Sequence, residues 1–252
     1  MRVRSYGDSG AVVIAMHGGP GAIGDVAALA RGLSDLFRVL EPLQRGSGAE
    51  PLTVATHVED LRELIQSRVA PERPALVGSS WGAMLALAFA AAYPDLAGPI
   101  VLIGCGTFDM ESRATFKALL EERRVTTGAE KLRALYSYDA IEEQEDETEY
   151  DRRANEETWH DMLRLQQEGV YPAAFTAIRS PVLMLHGSVD PHPGHMILDS
   201  LRPYLRQLEY REWDRCGHFP WRERLVQKEF YEALKTWLLD RTKQAAPSSG
   251  SL

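Results

Sequence analysis

The stretch that most constrains this chain is ALVGSSWGAMLALAFAAA, residues 75–92. Ala75, Leu76 and Val77 read as a short buried strand, and the run from Ala83 to Ala92, rich in Ala and Leu, reads as a helix. Between them stands Gly78-Ser79-Ser80-Trp81-Gly82. A Gly-x-Ser-x-Gly between strand and helix is the setting in which the pentapeptide means a nucleophile elbow. Such a turn forces the serine into a strained backbone region, and side chains at the flanking glycines would collide with neighbouring elements. Ser80 is then expected at the strand's carboxyl end, with a helix N-terminus behind it that favours developing negative charge. Ser80 is the candidate nucleophile, and Ser79 is its buried structural neighbour.

Around that stretch, strand and helix alternate. Arg2–Tyr6 reads as a strand, Ala11–Met16 as a buried one, residues 25–36 as a helix, Phe37–Glu41 as a strand and Val54–Arg68 as a helix. Gly98–Ile103 continues the pattern after the elbow. It resumes with strands at Pro181–Leu185 and Leu208–Trp213, and with helices at Met196–Leu205 and from about Arg222 to Asp240. The expected fold class is α/β, a mostly parallel sheet covered by helices on both faces. Residues 107–178 interrupt the rhythm with charged, helix-favouring sequence and no strand-like run. Such a length exceeds ordinary loops, so the reading is a core of residues 1–106 and 179–243 carrying a helical insertion at 107–178. The tail 244–252 is expected to be disordered.

The 252 residues carry a formal charge of −8, which argues against nucleic acid or an anionic membrane as partner. No apolar run reaches membrane-spanning length, and the first ten residues hold no apolar signal segment. A cytoplasmic location is the expectation. The two cysteines, Cys105 and Cys216, have no metal-ligand spacing and read as small buried hydrophobes.

A serine nucleophile needs a base, and the base an orienting acid. Of seven histidines, His218 alone follows the last strand, in DRCGHFPWRER. Asp190, just past a strand end in PVLMLHGSVDPHPG, is the favoured acid; Asp109 is an alternative, and Asp214 reads as an exposed carboxylate. Chain order Ser80, Asp190, His218 is an order known for such triads. His17-Gly18-Gly19-Pro20-Gly21 fits the spacing of neither a Walker loop nor a dinucleotide fingerprint. It suits an oxyanion hole, with the N–H groups of Gly19 and Trp81 as donors. Trp159 and Met162 are candidates for the substrate pocket, although their helical spacing suits core equally well. The acidic run 142–157 reads as a solvated helix face, or as a lure for a cationic amine.

HGGPG after one strand, QRGSG at 44–48 after the next, GSSWGA at the elbow, GxxD followed by GH, and His57-Val58-Glu59-Asp60-Leu61 together resemble the proline iminopeptidase branch of the α/β-hydrolase fold. The resemblance covers residues 1–104 and 180–240. It implies a serine hydrolase with Ser80, Asp190 and His218 as triad, Gly19 and Trp81 as oxyanion hole, and a helical cap where the insertion stands. In that branch acidic cap residues hold a substrate's free amino terminus. The chain departs from it at Leu43, where the branch has Asp, and at Ala49-Glu50, where it has Arg-Ser; the insertion is also shorter.

The expected chemistry is cleavage of a small ester, amide or short peptide through an acyl-enzyme, with no metal or organic cofactor. Esterase and prolyl aminopeptidase share every catalytic residue and differ in the cap. A catalytically slow small-molecule receptor on the same fold is the alternative of another class. Oligomeric state is not readable from the sequence.

Overall fold

Strands whose every residue is buried belong in the middle of a sheet covered on both faces. A computed structural model, describing residues 1–128, 132–141 and 149–245, contains four of them. They are β2 (Val12–Met16), β5 (Ala75–Ser79), β6 (Ile100–Ile103) and β8 (Val182–Gly187). Strands β1 (Arg2–Tyr6) and β4 (Arg38–Leu43) extend the sheet on one side, and β9 (Leu208–Trp213) ends it on the other. The order is β1-β4-β2-β5-β6-β8-β9, with β5 central and only the β1–β4 pair antiparallel. This is an α/β-hydrolase fold.

Period-two alternation along each strand divides the core in two. Val13, Ala15 and Val77 face α1 (Ala27–Leu33) and α8 (Gln227–Ala245), in a cluster with Leu29, Phe230 and Leu234. Ile14, Met16 and Leu76 face the other way, in a cluster with α2 (Val54–Arg68), α3 (Trp81–Ala92) and α7 (Gly194–Leu201). Residues Trp81 to Ala90 of α3 are all buried, as expected of a helix apolar on every side.

Between β6 and β8 come α4 (Met110–Thr127), α5 (Leu132–Tyr136), α6 (Arg152–Gln167) and a 3-10 turn at Ala173–Ala177. Contrary to the strand-free reading, this segment also holds a two-residue strand, β7 (Glu149–Tyr150), paired with β3 (Ala22–Ile23). Two residues cannot show a period, and their partner lies far away in sequence. The closing helix begins five residues later than its pattern suggests, because Glu223 instead bridges to Ala140. Helix α8 runs on to Ala245; the rest of the expected tail lies outside the described residues.

Part of the acidic run acts as clamps rather than as a solvated face. Asp151 caps α6 at Ala154 and accepts from Ser47 N–H and Oγ, each at 2.7 Å. Glu157 accepts from Leu52 N–H at 2.9 Å, and just beyond the run Asp161 accepts from Val54 N–H, at the N-terminus of α2, at 2.8 Å. Residues 142–148 of the run lie outside the described residues. No described helix is long and apolar enough to cross a membrane. Cys105 and Cys216 are free and buried.

The elbow glycines are needed for closeness. A Cβ on Gly82 would stand 2.3 Å from Met16 O, and one on Gly78 2.2 Å from Gly82 O. Gly82→Ala should therefore lower stability by about 1–3 kcal/mol through overpacking. Gly48→Ala, which meets nothing within 4 Å, should stay within about 0.5 kcal/mol of wild type. Urea unfolding of both variants checks this; equal midpoints would contradict the close-approach argument.

Candidate active site

Chain direction brings the candidate residues to one edge. The chain passes from β2 to β4 on one side and then to β5 on the other, which makes the carboxyl ends of β2 and β5 a topological switch point. The loop His17–Gly21 leaves β2 there, and Ser80 leaves β5. Ser80 has φ 53° and ψ −115°, a strained backbone held by its N–H donating to Ile103 O at 2.8 Å.

Asp190 lies in the turn after β8, fully surrounded. Its Oδ2 is 2.6 Å from His218 Nδ1, and its Oδ1 accepts from His192 N–H and Nδ1, each at 2.9 Å. His186 Nε2 stands 3.5 Å from Oδ2. Burial alone would raise this carboxyl, but His218, His192 and His186 outweigh it and hold it well below its usual value. His218 sits in the loop after β9, its N–H bonded to Tyr136 O at 2.7 Å. Its ring stacks on His192 with centroids 4.8 Å apart and meets Tyr136 and Phe219 edge-on. Gly104, at the end of β6 with φ 53°, makes room for it, because a Cβ there would stand 2.7 Å from His218 Nδ1.

Ser80, His218, Gly18 and Gly19 line one cavity of about 740 Å³. The N–H groups of Gly19 and Trp81 bond to no described residue. The other polar side chains of these loops are scaffolding. His17 accepts from Gln44 N–H at Nε2 and bonds Gly18 O through Nδ1, which assigns its tautomer, and burial lowers its pKa to about 4. Gln44 Oε1 accepts from Trp81 Nε1 at 2.8 Å, and Arg45 grips Asp60 of α2 through two nitrogens.

Of the pocket candidates, Trp159 lines the cavity. Met162 does not; it is fully buried in the core cluster that holds α3 and Phe175. Asp109 is the N-cap of α4, bonded to Ser112, and Asp214 has 86% of its side chain exposed. Neither touches His218 in the hydrogen-bond or ion-pair geometry of the described residues. Asp190, His192 and His218 are a set whose ligand-type atoms fall within 4.8 Å of one another. Both Nδ1 atoms are, however, engaged with the carboxylate.

Sequence reasoning missed His192 and Asp25. His192 stands two residues beyond Asp190, where an aspartate commonly captures a backbone N–H, a signal that could have found it. Asp25 precedes α1 and reads as an ordinary helix-entry acid. In the fold it accepts from Gly18 N–H at 3.2 Å, and a Cβ on Gly18 would fall 3.1 Å from its Oδ2 and 3.2 Å from Ser80 Cβ. Burial raises its pKa from 3.8 to about 6, partly offset by the Gly18 bond, Arg222 and His218.

The sign of that shift makes a prediction. The folded state keeps the Asp25 proton up to about pH 6, whereas an unfolded aspartate releases it near 3.8. The stability contributed by the protonated form is thus lost as pH rises through about 6. Asp25→Asn, which keeps an acceptor for Gly18, should stabilise the protein more at pH 8 than at pH 5. Urea midpoints at the two pH values measure it; a gain independent of pH would refute the assignment.

The model of the alpha/beta hydrolase family matches residues 12–228. No curated protein matches the sequence significantly. Solved structures similar in fold include an alpha/beta hydrolase from the metagenome of lagoon sediments at Mar Chica, Morocco, at 17% identity and TM-score 0.66, covering 95% of this chain and 94% of the other. A serine hydrolase involved in carbazole degradation is 16% identical at TM-score 0.67, with the same coverages of 95% and 94%. An esterase from Thermogutta terrifontis is 22% identical at TM-score 0.62, covering 96% of this chain and 93% of that one. The family match extends over most of the chain and agrees with the sheet order and the strained turn at Ser80: the chain belongs to the alpha/beta hydrolase family.

Proposed function

We propose that the protein is a serine hydrolase that cleaves small carboxylic esters through an acyl-enzyme. The observation that carries this reading is the Asp190–His218 pair, 2.6 Å apart, opening on the cavity that Ser80 enters from the elbow. His218, with Nδ1 turned to Asp190, has Nε2 to take the Ser80 proton as Oγ bonds to the carbonyl carbon. Asp190 fixes the imidazole tautomer and stabilises the cation that forms. The N–H groups of Gly19 and Trp81 receive the negative oxygen of the tetrahedral intermediate. His218 returns the proton to the departing alcohol, then takes one from water, which attacks the acyl-enzyme. The bond from the acyl carbon to Oγ then breaks as His218 returns that proton to Ser80, leaving a carboxylic acid beside the released alcohol. Helices α4, α5 and α6 act as the cap that closes this cavity, with Trp159 on its wall.

The reading favours ester over N-terminal peptide bond. A free amine needs a carboxylate in the cap, and among the described cap residues Asp151, Glu157 and Asp161 are bonded to core N–H groups. Prolyl aminopeptidase activity is the second reading; the HGGPG and QRGSG loops support it. The structural likeness to an esterase and a serine hydrolase supports the first.

A paired assay with a short-chain aryl ester and a prolyl arylamide decides between them. Ester cleavage should dominate, and Ser80→Ala should reduce it by about 10⁶ in kcat, abolishing labelling by a serine-directed phosphonate that Ser79→Ala retains. Labelling that survives Ser80→Ala would remove Ser80 as nucleophile. Arylamide cleavage that depends on Ser80 would establish the aminopeptidase instead. Turnover far below about 1 s⁻¹ on every substrate would favour a slow receptor.

A further inference from the structure

The cavity beside Ser80 has a charge pattern that an amine-binding site would not have. Its described lining includes Arg113 and Lys117 from α4 and Arg222 from the turn after His218, against a single carboxylate, Asp25. Arg113 and Lys117 are four residues apart and share a face of the helix. Like charges so placed destabilise it slightly.

Among the described residues no carboxylate pairs with either cation. Arg113 Nη2 donates to Gln166 Oε1, a neutral acceptor, and Gln166 Nε2 is held in turn by Thr107 O at 3.0 Å. The acid whose charge acts on Arg113 is Asp109, and its carboxylate is committed to Ser112 N–H and Oγ. Lys117 forms no ion pair among the described residues. Arg113 is half-buried, and desolvation lowers its pKa, partly offset by Asp109. A guanidinium that gives up water for one amide oxygen keeps most of its five donors for something else. Phe116, between the two cations, stacks on the His192 ring with centroids 4.2 Å apart, so this face of α4 stands against the catalytic acid's loop. Trp159, Leu163 and Phe219 make the remaining wall apolar.

We propose that Arg113 and Lys117 form an anion subsite, and that the substrate is an ester with an apolar body and a second, free carboxylate. The inference rests on the hydrolase reading above. A carboxylate matches the planar fork of Arg113 and supplies the charge that both cations lack. The subsite would place that carboxylate on α4 while the ester carbonyl reaches Ser80.

Three aryl esters test it: p-nitrophenyl valerate, neutral; mono-p-nitrophenyl glutarate, charged on the acyl part; and 4-carboxyphenyl valerate, charged on the leaving group. Relative to the neutral ester, kcat/KM for one of the charged esters should fall ~10-fold in Arg113→Gln, as for loss of a charge-assisted hydrogen bond. A smaller fall is expected in Lys117→Gln, whose exposed position spares the fold. The loss should appear in KM and shrink as salt rises. Which charged ester responds tells where the carboxylate sits. Unchanged ratios in both variants, with hydrolysis of valerate still dependent on Ser80, would overturn the subsite and leave the hydrolase standing. If no ester is turned over, the hydrolase reading fails separately. Equilibrium binding of glutarate then decides the subsite: it should weaken ~10-fold in Arg113→Gln, and equal binding would overturn it.

Discussion

A carboxylate with no exposure to water must find its donors within the protein, and Asp190 organises one end of the fold to meet that demand. His218 and His192 donate to it from loops separate in sequence, and His186, at a strand end, stands 3.5 Å away with its Nε2 bonded to His192 O. Satisfying Asp190 therefore sets the loop after β8 against the loop after β9. Glu223 braces the second loop from below, accepting from the N–H groups of Gly217, Tyr138 and Asp139. The same buried acid ties the segment after α5 to His218, whose N–H bonds Tyr136 O. Orientation of the imidazole is thus a property of several elements at once.

The other half of the site depends on proximity rather than charge. Strand β5 and helix α3 meet at a turn so tight that Gly78 and Gly82 have backbone carbonyls where a Cβ would be. Trp81, the residue after Ser80, is pinned through Nε1 to Gln44, which also bonds His17 O. The loop that supplies Gly19 and the helix that begins at Trp81 are thereby held by one glutamine. Carboxylates and an amide fasten the insertion onto this platform. Asp151, Glu157 and Asp161 take N–H groups from residues 47–54, and Asn155 donates to Pro20 O at 2.8 Å. What reads in sequence as excess negative charge is in part what holds α6 against residues 47–54.

The cavity that results has two characters. Next to Ser80 it offers a buried acid, Asp25, whose pKa burial raises to about 6, and the N–H groups of Gly19 and Trp81, which bond to no described residue. Across it, α4 presents aromatic surface and two cations. A ligand filling both regions would be apolar along its length and charged at the end away from the reacting carbonyl.

The elbow, the parallel strands and the order of Ser80, Asp190 and His218 were legible in the sequence, because each rests on a local signal. Buried parallel strands show unbroken apolar runs such as IVLI, and a strand-to-helix turn shows its glycines. The shared edge of the sheet follows from strand direction alone, which is why residues 110 positions apart could be grouped before any contact was seen. Side-chain direction has no such signal. Met162 and Trp159 lie three residues apart on α6, yet Met162 is sealed in the core and Trp159 opens on the cavity. The same spacing gave no sign that Asp151 and Glu157 would turn to core N–H groups, that Asp25 would reach Gly18, or that His192 would share Asp190. The sequence by itself determined the fold and which candidate side chains stand at one edge of the sheet. Which charges face the cavity was decided only by tertiary packing, since a charged side chain is placed by the partners that come to surround it.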